Sequence, residues 1–160
     1  MNLDYIKQKG FKEWYKDLGN SNNTYYIMGS DDIDYLTSIY ILNKIFGLKT
    51  TLFDDFQNLY HREDINVNDI KLGQVVGVDL DLNSSDKNYD YKCFGNHVTY
   101  FQNPNSINLN RNIQYGCTNY YNKFVGSVLL TIMSLYDIPL CWFTEEQLEL
   151  ILCVDTDVSI

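Results

Sequence analysis

Tyr25-Tyr26-Ile27-Met28-Gly29-Ser30-Asp31-Asp32-Ile33-Asp34 is the stretch that decides the fold, with the apolar series Leu36, Ile39, Tyr40, Leu42, Ile45 and Phe46 behind it and Gly47 closing it. The first four residues form a short, apolar, β-favouring run suited to a buried strand. Steps of three and four residues after Asp34 give one face of a helix, and Gly47 is its stop. A strand therefore enters a helix through a tight polar turn that carries three aspartates.

The alternation continues outward. Residues 49–53 read as a strand and 56–60 as the start of a helix or a loop. Residues 75–78 are a buried strand ending at Asp79, and 91–94 another short strand. The polar stretch 102–115, with Asn103-Pro104-Asn105, reads as one long loop. A helix is expected over 121–136, and Thr144-Glu145-Glu146-Gln147 is a capping box that opens a last helix through Leu148, Leu150 and Ile151. Before the deciding stretch, Leu3, Ile6, Phe11, Trp14, Tyr15 and Leu18 predict an amphipathic helix stopped at Gly19-Asn20. Strands alternating with helices imply an α/β fold, a mostly parallel sheet flanked by helices, with ligands bound outside the carboxyl ends of the strands.

Composition narrows the function. At 160 residues the chain suits one domain with one core. Net charge is −9, and no basic block grips a phosphate backbone, so duplex nucleic acid is not the expected partner. Acidity fits a metal ion, a small phosphorylated ligand or a basic protein partner, or serves solubility alone. The 14 Tyr would suit protein recognition, because Tyr supplies contact area at low entropy cost. Cys93, Cys117, Cys141 and Cys153 lack the C-x-x-C spacing of a zinc site and read as buried free thiols, which implies a reducing, cytoplasmic compartment. The start, MNLDYIKQKGFKEW, is charged and amphipathic rather than a signal peptide, and the apolar run around 124–135 is too short for a membrane span. With 18 Asn, ten Lys against two Arg and no Ala, the gene is read as A- and T-rich, as in a low-GC bacterium or its phage.

Candidate chemistry lies where acids follow strands. Asp32 and Asp34, two apart in the turn, either converge on a divalent cation such as Mg²⁺ or Mn²⁺, or, with Asp31, cap the following helix. Asp79 ends a strand and Asp81 follows it. His97 comes just past another apolar run, while His61 reads as ordinary exposed loop or helix.

In this order the pieces resemble the DHH phosphoesterase superfamily, which includes RecJ-like exonucleases, oligonucleotide phosphodiesterases and manganese-dependent pyrophosphatases. Its first motif, H-x-x-x-D-x-D after a strand, overlays Met28 to Asp34, with both aspartates kept and Met28 in place of the histidine. The strand-ending aspartate of the second motif matches Asp79. The D-H-H triplet falls on Asn96-His97-Val98, or one residue earlier on Gly95-Asn96-His97. The fourth motif matches Val154-Asp155-Thr156, and residues 123–127 look like the small-residue helix that follows the third.

The resemblance implies that Asp32, Asp34, Asp79, His97 and Asp155 are metal ligands for Mn or Mg, with one site more complete than two because Met28 removes a ligand. It also implies a single DHH-like domain over 1–160, with the usual C-terminal substrate-binding domain absent or supplied by another protein. Two functions follow: a catalytically weak or inactive binding or inhibitory protein, possessing a protein partner, or a metal-dependent phosphoesterase acting on nucleotides or short oligonucleotides.

Overall fold

A computed structural model of the chain describes residues 9–83, 90–101, 103–113, 122–124 and 126–153. Six strands form one sheet: β1 (Tyr26–Gly29), β2 (Thr50–Asp54), β3 (Leu59–His61), β4 (Val75–Val78), β5 (Lys92–Gly95) and β6 (Ser106–Asn108), in the order β3-β2-β1-β4-β5-β6. Every pairing is parallel except the hairpin of β2 with β3. The helices are α1 (Ile33–Phe46), α2 (Val128–Leu135) and α3 (Glu145–Cys153). The chain is an α/β protein, as the strand–helix alternation predicts.

The deciding stretch folds as read. β1 runs into α1, which Gly47 closes in the left-handed conformation at φ 68°. Gly29 is needed for space, because a Cβ there would enter the Tyr35 ring packed over the strand end. Ile27 in β1, Val76 and Val78 in β4, Phe94 in β5 and Ile107 in β6 are buried in one core with Leu42 of α1 and Leu129 and Ile132 of α2. The two halves of the parallel sheet grow in opposite directions from β1 and β4, so the carboxyl ends of these two strands flank a switch point where α/β proteins bind ligands.

Four expectations change. Of the expected N-terminal helix, Leu3 and Ile6 lie outside the described residues, and the described part is a 3-10 turn over Glu13–Asp17 that follows Gly10 at φ 64°, with Trp14 and Leu18 still reaching the core. Of the helix or loop read over 56–60, residues 56–58 are the loop of a hairpin, and 59–60 belong to its second strand. Asp54 and Asp55 accept the backbone N–H groups of Phe56 (2.7 Å), Gln57 (2.9 Å) and Asn58 (2.6 Å), so side-chain acceptors build the turn and His61 falls on an edge strand. The stretch 102–115 hides β6, three buried residues too short to show a period.

The helix expected from 121 begins at Val128. Ser127 caps it through Leu130 N–H (3.1 Å), so of the small-residue helix expected over 123–127, residues 123, 124, 126 and 127 precede the helix, and Val125 lies outside the described residues. The last helix starts as predicted, with reciprocal Thr144 and Gln147 bonds of 3.0 and 3.3 Å. Of the cysteines, Cys93 is buried but Cys141 and Cys153 are exposed, because they lie on a surface turn and on the outer helix; Cys117 lies outside the described residues. No helix among the described residues is long and apolar enough to cross a membrane.

Candidate functional site

Because β1, β4 and β5 are parallel neighbours, the residues just past them emerge on the same edge of the sheet. Asp32 and Asp34 follow β1, Asp79 follows β4, and His97 lies two residues past β5. Asp155 lies outside the described residues. The described sequence-predicted acids are thus ordered along one edge, but their side chains do different work.

Asp32 is the N-cap of α1. Its carboxylate accepts Asp34 N–H at 2.7 Å, the helix-capping role weighed for this turn. Asp34 caps a different helix. It is fully buried, and its two oxygens accept Val128 N–H (2.6 Å) and Leu129 N–H (2.9 Å), with the Ser38 hydroxyl donating at 3.3 Å. Six of the eight residues of α2 are buried, so its first N–H groups have no access to water and need an internal acceptor. Asp34 meets two of them and Ser127 the third, and the negative charge sits at the positive end of the helix dipole.

Asp79 and His97 do share a space. A cleft of about 380 Å³ is lined by Asp54 at the end of β2, Phe56, Asp79, Asp81, His97 and Thr99, together with Leu80 and Leu82. Asp79 is buried, stands in the left-handed region at φ 53°, and donates its N–H to Phe94 O at 3.0 Å.

The best-organised group in this region is one the sequence left as a neighbour, Asp81. Its side chain is 7% exposed. Oδ2 accepts His97 N–H at 3.0 Å and lies 3.4 Å from His97 Nδ1. Oδ1 accepts the Ser106 hydroxyl (3.0 Å) and Asn108 Nδ2 (2.9 Å), and Asn108 also donates to His97 O at 2.7 Å. The signal was present as D-x-D after a buried strand, with Ser106 and Asn108 in the stretch read as loop, but only the sheet brings them together. Asn103 and Asn110 act as further staples: Asn103 donates to Leu82 O (2.7 Å) and Tyr91 O (3.0 Å), and Asn110 donates to Phe124 O (2.8 Å). Cys93 is buried, and its thiol is pushed far above the ordinary range by desolvation and then by the Asp81 charge.

The described candidate ligands do not all face one point. Among the described residues no three His, Cys, Asp or Glu side chains are grouped to hold a metal ion. Of the five proposed ligands, Asp79 and His97 line a common cleft, while Asp32 and Asp34 face helix N–H groups. Comparison with protein-family models, curated proteins and solved structures finds no match.

Proposed function

We propose that this chain is a DHH-like scaffold turned to binding: a catalytically weak or inactive protein that recognises a protein partner and holds no more than one Mn²⁺ or Mg²⁺ ion, beside Asp79. The observation that carries the reading is the use of Asp34. The resemblance makes it a metal ligand, yet both of its oxygens accept N–H groups of α2, and releasing them would strip a buried helix end of its acceptors. Met28 in place of the family histidine removes a second donor from the same turn, and a thioether is a poor partner for hard cations.

The alternative is a metal-dependent phosphoesterase acting on nucleotides or short oligonucleotides. It is favoured by the single cleft that Asp79, Asp81 and His97 share. The two readings part on a direct assay: hydrolysis of a nitrophenyl phosphodiester and of a short oligonucleotide with Mn²⁺, for wild type and Asp79→Ala. The binding reading expects no Mn²⁺-dependent turnover. Turnover that Asp79→Ala abolishes would overturn it. Calorimetric titration with Mn²⁺ should give a stoichiometry no higher than one, and Met28→His should leave it unchanged, because the Asp32 carboxylate it would work with caps α1.

A further inference from the structure

The edge of the sheet is not the only place where the molecule is shaped to receive something. Between α1 and α3 runs an apolar groove of about 410 Å³, lined by Ile33, Leu36 and Tyr40 on one side and by Phe143, Leu150 and Ile151 on the other. Ile33, Leu36, Tyr40 and Leu150 are each more than half exposed. A surface helix ordinarily turns polar residues outward, and two neighbouring helices that both turn apolar ones outward mark an interaction face.

Acids next in sequence to the lining residues point to the occupant. Asp31 and Asp32 immediately precede Ile33 in the sequence, and Glu146 and Glu149 precede Gln147 and Leu150; all four acids are exposed and none lines the groove itself. The two helices carry a single base, Lys44, and it lies over the Tyr40 ring, 5.4 Å from its centre. A second copy of this chain would bring the same acids to the contact and a charge of −9 with them, so self-pairing sets like charges against each other. A helix lying between two helices is a recurrent recognition mode, read through apolar anchors one turn apart.

We infer that the α1–α3 groove docks an amphipathic helix of a protein partner, its apolar stripe on Leu36, Tyr40 and Leu150 and its basic flanks against Asp31, Asp32, Glu146 and Glu149. This inference rests on the binding reading and names the chemistry of the partner.

Cys153 lines the groove and Cys141 does not, and both thiols are exposed, so each molecule carries its own reporter and reference. The probe is a synthetic peptide of about 18 residues, long enough for a stable helix, with Leu at every third or fourth position and Lys elsewhere; the control peptide replaces Lys with Glu. The Lys peptide should slow alkylation of Cys153 about tenfold and leave Cys141 unchanged, with protection fading as salt rises. Leu150→Asp, and separately the pair Glu146→Lys and Glu149→Lys, should remove the protection while leaving the unfolding midpoint within a few degrees, since all three side chains are exposed.

Equal protection by the Glu peptide, or none by the Lys peptide, overturns the inference. So does a concentration-dependent dimer that Leu150→Asp dissociates, which would give the groove to a second copy. Protection without peptide that is lifted by removing residues 154–160 would give it to the chain's own segment. Mn²⁺-dependent phosphodiester hydrolysis would instead strike the binding reading, and the peptide result is scored independently of it.

Discussion

Two buried carboxylates, Asp34 and Asp81, sit past neighbouring strands of the same sheet and have opposite fates. Asp34 faces inward, and its partners are the backbone N–H groups of one helix. Asp81 faces a cleft, and its partners are side chains and one N–H contributed by β6 and by the turn after β5. The first joins α1 to α2 and is used up by the fold. The second positions an exposed imidazole at the cleft mouth without being consumed by a helix. Two acids with similar sequence settings are therefore not equivalent sites; what differs is whether a helix N-terminus lies in front of them.

Replacing Asp34 should break that contrast most severely. Asp34→Ala leaves two buried donors unpaired and should cost about 3 kcal/mol in denaturant unfolding, with Asp34→Asn recovering part of it through its one remaining acceptor oxygen. If Asp34→Ala unfolds at the wild-type midpoint, the capping role is wrong. Gly95→Ala comes next. A Cβ there would enter the Asp81 carboxylate, so it should cost about 2 kcal/mol and shift the resonances of His97 while leaving those of Val128 and Leu129 in place.

Asp81→Asn should be milder, about 1.5 kcal/mol, because the side chain keeps its shape but turns a donor toward Ser106 and Asn108. It should also shift the backbone amide resonance of His97, whose N–H the Asp81 carboxylate accepts at 3.0 Å; an unchanged resonance would separate the two residues. Asp32→Ala removes an exposed cap and should cost about 1 kcal/mol, without the larger loss expected of its buried neighbour two residues on.

The smallest effect at neutral pH is an alkaline one. Burial raises the Tyr136 phenol and the Cys93 thiol well above their ordinary values of 10.0 and 9.0. Groups whose folded pKa is raised give stability that is complete below the unfolded pKa and is lost as pH rises above it. Stability should thus fall from about pH 9 upward, and less steeply in Asp81→Asn, because the Asp81 charge is one cause of the raised Cys93 thiol. Tyr136→Phe should flatten part of that fall while losing the bond to Tyr15 O at 2.8 Å.

The sequence by itself determined the α/β class, the β1–α1 junction, the strand that ends at Asp79 and the cap at Thr144, because each is written in neighbouring residues: apolar period, turn chemistry, and a polar side chain within reach of its own backbone. It placed the candidate acids past strand ends, and parallel pairing put those described on one edge. What it could not carry was direction. Asp34 finds its partners 94 and 95 residues away, and Asp81 finds Ser106 and Asn108 at separations of 25 and 27. The three-residue β6 has too few positions to show a period and exists because β5 lies beside it. Which aspartate caps, which faces the cleft, and which apolar helix face stays uncovered were decided by the packing of distant elements, since a side chain's role depends on what the folded chain sets in front of it.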